Sequence, residues 1–405
     1  MATRKWKQPF HQARRFLAKY WLKLHPQVTV IGITGSYGKT NTTRAIAQVL
    51  SEKFKVLQTD LNLDTNYNLP ITLLKLRNHQ KLVLEYGVDH KGEMDAHLKL
   101  ARPSIAVVTG INPTHSEPEL LGSLEGVIKE KSKILAKSKL AILNKDDQYV
   151  RQMKPRISVL WCSSVSKADF WADEIKVDFK GTTFALYHGD KKVQIKTGLV
   201  GRHFVQTCLA AAAVGVTEGL SWEQIQAGLA KLEPLKGRLN IEKGPKGSIL
   251  INDALRANPA STLAGLQVLN DLPRQPAGRR IAVLGEMGEL GQLAKKEHQR
   301  VGQELAKLKM DFLISVGPLQ KFTAQAAIKE GMKKNQVFWV KDVAEAAEIL
   351  QKILKKGDLF YLKGSLLRHM ERILLILRGG KVNCFVSNCH HYQPCTDCPN
   401  LQKSF

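Results

Sequence analysis

The 405-residue chain has no uninterrupted apolar run approaching the roughly 20 residues that a membrane-spanning helix needs. Its N-terminus, Met1 to Lys23, is basic, and charges interrupt its apolar residues, so it has no signal-peptide core. These two absences predict a cytoplasmic protein. Acidic residues are scarce: 36 Asp and Glu face 61 Lys and Arg, a net charge of +25. That imbalance points to anionic partners such as a nucleotide, acidic lipid headgroups or a polyanionic precursor. The basic residues are spread along the whole chain with no dominant block, which suits a generally basic surface at least as well as a dedicated nucleic-acid groove. Cysteine is nearly missing from the body of the chain. Cys162 and Cys208 read as ordinary core residues, and the other four fall between 384 and 398. Without an export signal the thiols stay reduced, so disulfides are not expected. No repeat of solenoid type is present.

Against these absences stands one dense motif. The apolar run Val28-Thr29-Val30-Ile31-Gly32 leads into Ile33-Thr34-Gly35-Ser36-Tyr37-Gly38-Lys39-Thr40, and an amphipathic stretch follows (Ala45, Ile46, Val49, Leu50). A strand, a Gly-rich turn and a helix opening on Lys-Thr form a phosphate-binding loop. Gly35 and Gly38 let backbone N–H groups approach phosphate, Lys39 brings a mobile cation and Thr40 a hydroxyl for Mg²⁺. The loop is the short form, with Ile33 where the longer consensus has its first glycine. A nucleotide triphosphate is therefore the first ligand to expect.

The hydropathy pattern divides the chain into four parts. Residues 1–27 read as a basic helix. Its Phe16, Tyr20 and Leu24, with Leu17 and Trp21 alongside, suit either an acidic membrane surface or docking on the first domain. Residues 28–236 alternate apolar strands (28–34, 55–59, 82–86, 105–109 and 140–144) with helical stretches, the pattern of a mostly parallel sheet. Within them, 157–199 change to hairpin-like alternation, a small antiparallel portion. Residues 237–380 repeat the alternation, with strands expected at 248–252, 280–285, 312–317, 336–340 and 359–362, a second Rossmann-like α/β sheet. Residues 381–405 form a Cys-rich tail, in which Cys384, Cys389, Cys395 and Cys398 suit a structural Zn²⁺ as well as free thiols.

From Val28 to Leu377 the chain resembles the Mur ligase family, ATP-dependent amide ligases of peptidoglycan precursor synthesis. It is most similar to the MurF type, which joins D-Ala-D-Ala to a UDP-muramoyl tripeptide. The segments that carry the resemblance are ITGSYGKT (33–40), LEYGVDHKGEM (84–94), THSE (114–117), GSLEGVIKEK (122–131), GRH (201–203), GRL (237–239), NDALRANP (252–259), LGEMGELG (284–291) and KGS (363–365). The resemblance implies an ADP-forming ligase. ATP phosphorylates a substrate carboxylate, and the amine of an amino acid or dipeptide attacks the resulting acyl phosphate. It implies Thr40, Glu85 and His115 as Mg²⁺ ligands, where the residues alone allow a salt-bridged loop carboxylate and a polar loop residue. It implies Lys131 as a carbamylated lysine, where Lys129, Lys131 and Lys133 alone allow a solvated basic face. Gly35, Ser36, Tyr37, Gly38, Lys39, Thr40, Asn41 and His203 become the nucleotide set. Arg238 faces the ATP phosphates and Asp253 the ribose, both reaching the nucleotide as the last domain closes. Asn258, Lys363, Gly364 and Ser365 line the acceptor side.

The chain also departs from the family pattern. About 27 residues precede the first strand, too few for the family's UDP-binding domain, so a partner chain supplying precursor recognition is one expectation. Asparagines that usually follow the G-x-H motif are Phe204 and Thr207 here, leaving Phe204 to stack on a base. The usual K-G-S-R reads Lys363-Gly364-Ser365-Leu366, with Arg368 two residues late, and Glu286 stands for an Asp. Two other readings stay open: a Mur-type ligase of a different carboxylate (a poly-amino-acid synthase, or an amidating ligase with a partner chain), and a catalytically weak nucleotide-binding protein with a basic interaction surface.

Overall fold

The computed structural model describes residues 8–60, 65–113, 116–288, 290–382, 384, 386, 388, 389, 395, 398 and 401. The chain divides into two compact units, meeting in sequence near Leu232 and Glu233.

The first unit runs α1 (Gln8–Lys23), β1 (Thr29–Thr34), α2 (Lys39–Leu50), β2 (Val56–Gln58), α3 (Thr65–Leu74), β3 (Lys81–Glu85), α4 (Glu93–Leu100), β4 (Ile105–Val108), α5 (Leu124–Ser132), β5 (Leu140–Asn144), β6 (Ser158–Ser163), β7 (Phe170–Asp178), β8 (Gly181–His188), β9 (Lys191–Thr197), α6 (Phe204–Thr217) and α7 (Trp222–Ala230). Among the described residues its strands form one nine-stranded sheet in the order β2-β3-β1-β4-β5-β6-β7-β8-β9. β1 to β6 pair in parallel. The β8–β9 hairpin is antiparallel, with Phe184 opposite Ile195. Ser158–Ser163, which the hydropathy pattern grouped with the hairpins, instead extends the parallel part beside β5. Leu82, Leu84, Ala106, Val108, Ala141 and Leu143 pack with Leu69, Leu73, Met94, Leu98 and Val127 in one buried cluster. α2 and α6 pack together, α2 also against β1 and α6 against β5 and β6. Eleven of the fourteen residues of the Ala-rich α6 are buried, the mark of a helix apolar all round.

α1 is docked on this unit through α3 and α4. Ala18 is buried, Trp21 Nε1 donates to the Leu76 carbonyl at 3.0 Å, and Arg15 Nη2 donates to the Ala96 carbonyl at 2.8 Å. Its outer side leaves Phe10, Phe16, Leu17 and Tyr20 exposed, with Leu24 just past its end.

The second unit runs β10 (Asn240–Lys243), β11 (Ile249–Asp253), α8 (Pro259–Asp271), β12 (Arg280–Gly285), α9 (Ala294–Lys307), β13 (Phe312–Val316), α10 (Gln320–Lys329), β14 (Val337–Val340), α11 (Val343–Ile353), β15 (Leu359–Lys363) and α12 (Glu371–Leu377). Its six-stranded sheet has the order β10-β11-β15-β12-β13-β14, parallel except for β10. Leu250, Ile281, Val283, Ile314, Phe360 and Leu362 form the centre of its core with Ala346, Ala347 and Leu350 of α11. No described helix is long and apolar enough to cross a membrane.

Candidate active site

β1 ends at Thr34 and α2 begins at Lys39, so the loop between them places the first-turn N–H groups of α2 at the carboxyl edge of the sheet, where open α/β folds bind ligands. The loop is tightly braced. Ser36 N–H donates to the Gly110 carbonyl at 2.7 Å, and Tyr37 Oη donates to Asp147 Oδ2 at 2.7 Å. Gly35 has φ +151°, and a Cβ there would lie 2.1 Å from Thr109 Oγ1, so only glycine fits. Gly38, at φ +77°, is the N-cap of α2 in the left-handed region. Lys39 Nζ donates to the Gly35 carbonyl at 2.8 Å and so folds over the loop. Thr40 and Asn41 follow in the first turn, half-buried.

The sequence reading passes over Asp147, yet this residue organises the corner. Its Oδ2 also accepts the Ile111 N–H at 2.9 Å, and its Oδ1 accepts those of Tyr149 and Val150 at 2.9 Å each. A signal for it exists in the sequence: a carboxylate just after the apolar run of β5. Burial and the Asp147 charge push the Tyr37 phenol well above its usual range, so it is a donor at all working pH.

Glu85 ends β3 and pairs in register with Ile33 of β1, one strand from the loop. Its N–H donates to Thr59 Oγ1, and its half-buried carboxylate makes no hydrogen bond or ion pair among the described residues. His115 lies outside the described residues.

The solvated-face reading of α5 fails at Lys131. Lys133 pairs with Glu130 and Asp95, but Lys131 is 1% exposed, with Nζ 3.3 Å from the Val88 carbonyl. Burial, reinforced by the positive charge of Lys39, lowers its amine to about 7, against the opposing pull of Asp89, Glu93 and Glu130. A buried amine of this kind is substantially neutral near pH 7, hence nucleophilic.

His203 is exposed at the N-cap position of α6, its ring 4.1 Å from that of Phe204. Phe204 itself is buried, so its ring belongs to the core and not to a base-stacking surface. Thr207, in place of a family asparagine, is also buried, 3.4 Å from the Thr42 hydroxyl.

In the second unit, Asp253 ends β11 and Lys363 ends β15, neighbouring parallel strands. The two residues implied for different substrates are in fact a buried pair: Lys363 Nζ donates to Asp253 Oδ2 at 2.5 Å and to the Arg256 carbonyl at 2.8 Å. Tyr361 Oη donates to the same Asp253 oxygen at 2.9 Å. Burial pushes the Asp253 carboxyl up and the Lys363 amine down, while the opposite charges counter both shifts. The positive charge of Arg238, half-buried just before β10, acts on both groups. Lys363 is 1% exposed, so it supports Asp253 and does not present its ammonium to an open cleft. Asn258 likewise serves its own helix. Its Oδ1 accepts the Ser261 N–H at 2.9 Å in a capping box that starts α8, with Pro259 at the first helical position. Ser365 N–H donates to the Glu286 carbonyl at 3.1 Å, and a Cβ on Gly364 would lie 2.3 Å from Met370 Cγ. Glu286 Oε1 accepts the Leu319 N–H at 2.7 Å, and Arg368 Nη2 stands 2.5 Å from Glu286 Oε2.

The expected four-sulfur set is not brought together: among the described residues, Cys384, Cys389, Cys395 and Cys398 do not share one group of metal-ligand spacing. Of the four, Cys395 alone joins such a group, with His369 and Glu371.

Known proteins resemble this chain across both units. Residues 33–215 match the Mur ligase middle domain, and residues 237–366 match the Mur ligase, glutamate ligase domain. The UDP-N-acetylmuramoyl-tripeptide--D-alanyl-D-alanine ligase of Escherichia coli is 34% identical over 305 residues, 73% of this chain and 66% of that protein. The chain thus spans about two-thirds of that relative's length. MurF from Acinetobacter baumannii superposes with a TM-score of 0.81 at 30% identity, covering 91% of this chain and 80% of the other. MurF ligase from Thermotoga maritima, solved in complex with ADP, gives a TM-score of 0.79 at 25% identity, covering 91% and 83%.

Proposed function

Because this chain belongs to the Mur ligase family, we propose that it is an ATP-dependent, ADP-forming amide ligase of the MurF type. The observation that carries the reading is the braced loop Gly35–Lys39 at the carboxyl edge of the sheet, with a neutral-tending buried Lys131 close enough to feel the charge of Lys39. A relative's name supplies the substrates: a UDP-muramoyl tripeptide as the acid and D-Ala-D-Ala as the amine.

The roles follow from charge and position. The loop amides and Lys39 cradle the triphosphate and stabilise charge on the transferring phosphoryl group. Thr40 and Glu85 offer oxygen donors suited to Mg²⁺, and Glu85 has no competing partner among the described residues; His115 completes the set that the family implies. When bound, Mg²⁺ neutralises phosphate charge. The Lys131 amine adds to CO₂, releasing a proton and forming an N–C bond, and the resulting carbamate is a carboxylate-like donor. Arg238 serves the phosphates and Asp253, held by Lys363 and Tyr361, the ribose. His203 and Asn41 belong to the nucleotide set, and Asn258, Gly364 and Ser365 to the acceptor side. The substrate carboxylate takes the γ-phosphoryl, the amine attacks the acyl phosphate, and collapse of the tetrahedral intermediate gives amide and phosphate.

The exposed apolar side of α1 beside Lys19 and Lys23 supports peripheral contact with acidic lipid, which would hold the enzyme at the inner membrane surface. A partner chain that supplies precursor recognition fits the same reading, as does a Zn²⁺ in the C-terminal tail.

The test is phosphate release by the purified chain with ATP, Mg²⁺, UDP-muramoyl tripeptide and a panel of amines. Release that depends on both the tripeptide and D-Ala-D-Ala supports the reading. Release with another acid or amine moves the substrate assignment, and bound ATP with no acceptor-dependent release removes the ligase assignment.

A further inference from the structure

The described residues hold one group of three side chains whose ligand atoms all lie within 4.8 Å of one another: His369, Glu371 and Cys395. His369 and Glu371 sit at the start of α12, and Cys395 comes from the tail. His369 is 1% exposed and Cys395 2%. His369 Nδ1 is 2.7 Å from Glu371 Oε1, which also accepts the Cys395 N–H at 3.1 Å. His369 Nε2 is sealed from solvent and makes no well-aligned hydrogen bond among the described residues, and the groups that act on the ring are the Cys395 sulfur and the Glu371 carboxylate. Arg372 Nε donates to Cys395 Sγ at 3.0 Å, and Arg372 Nη1 donates to the Cys384 and Val386 carbonyls at 3.2 and 2.9 Å.

The donor set is one imidazole nitrogen, one thiolate and one carboxylate oxygen. Mg²⁺ and Ca²⁺ prefer oxygen alone, whereas Zn²⁺ takes this mixture. The two anionic donors offset the charge of a divalent ion.

We propose that His369, Glu371 and Cys395 bind a zinc ion that fastens the tail to the start of α12. Three protein donors leave the fourth tetrahedral position for a further ligand. Arg372 supports the site from outside by its bond to the ligating sulfur, as outer-shell groups do. The assignment is independent of the ligase reading and differs from a four-thiolate site in using only one of the tail cysteines.

The experiment uses the full chain, stripped with a chelator under a non-thiol reductant, loaded with zinc alone and desalted. The expected result is about one zinc per chain by elemental analysis. H369Q and C395S should lose it, while C389S and C398S retain it. Loading with cobalt alone should give a sulfur-to-metal charge-transfer band, which reads out the unmutated protein whether or not the variants fold. Failure of the unmutated chain to retain zinc, or absence of that cobalt band, overturns the proposal. So does loss of zinc from C389S and C398S with H369Q intact, the signature of a four-sulfur site.

Discussion

Arg368 and Glu286 face each other in an ion pair of 2.5 Å, the carboxylate buried and the guanidinium partly exposed. Each is a departure from the family pattern: Glu286 replaces a shorter Asp, and Arg368 comes two residues later than the family's arginine. The two side chains nevertheless meet in the fold. The pair should be energetically coupled. We expect R368A to destabilise the protein by about 1–3 kcal/mol, because it leaves a buried carboxylate with only the Leu319 N–H. R368A with E286Q should cost less than the sum of the single changes in urea unfolding. Strict additivity would show that the two do not interact.

Removing Lys363 should be more damaging. K363M strips the buried Asp253 of its cation and should cost about 3–5 kcal/mol, with Tyr361 left as the remaining side-chain donor. Adding D253N should recover part of that loss in stability. It should not recover nucleotide affinity, which separates packing from ligand binding when both are measured on one protein.

The phosphate loop gives a steric test. G35A sets a methyl group against Thr109 Oγ1, so ADP affinity measured by calorimetry should fall. G35A with T109A should recover only part of it, because the positive φ strain remains. K39A removes a phosphate-facing charge and should lower turnover roughly 10²–10³-fold with the fold intact.

Lys131 gives a pH test. Its folded-state amine lies near 7 against 10.5 for an ordinary lysine, so between those values the unfolded chain binds a proton that the folded one does not. The contribution of Lys131 to stability therefore rises with pH from about 7 to about 10.5, and its burial cost is fully present below 7. K131M should flatten that rise. In ¹³C-bicarbonate, the unmutated protein should show a carbamate carbon signal that grows as pH passes 7 and is absent from K131M. A ligase in which K131M retains full activity and no such signal exists has no carbamate.

The α1 surface predicts liposome binding. Vesicles containing acidic phospholipid should carry the protein in flotation, neutral vesicles should not, and salt should weaken the binding. F16E with Y20E changes only exposed positions, so it should abolish flotation while leaving phosphate release unchanged. Equal flotation with neutral vesicles would rule out a charge-dependent contact.

Much of this molecule is legible in its sequence because its strands are continuous apolar runs. Leu140–Asn144 and Arg280–Gly285 stand where the pattern puts them, and most others within a residue or two. β10 is not visible there, because Asn240–Lys243 is a short edge strand with no apolar run to mark it. The phosphate loop is legible because glycine, lysine and threonine at that spacing have few other uses. Burial is harder. Nothing in a lysine-rich stretch says which amine enters the core, so Lys131 stands out only by resemblance. Asn258 carries a readable local signal, asparagine before proline at a helix start, and the structure uses it that way. The partners of Cys395 come from twenty-odd residues upstream, and spacing within the tail says nothing about which helix lies beneath it.

The nine-stranded sheet ends at β9, whose order places its outer side beyond any strand partner in the sheet. That border is written Lys191-Lys192-Val193-Gln194-Ile195-Lys196-Thr197, with all three lysines exposed and Gln226 Nε2 of α7 donating to the Gln194 carbonyl at 2.9 Å. Lys192 is paired with Glu174 at 2.6 Å, so two copies approaching border to border would bring Lys191 and Lys196 of each together before any backbone ladder could form. Neutralising Lys191 and Lys196 should therefore lower the concentration at which the protein begins to self-associate.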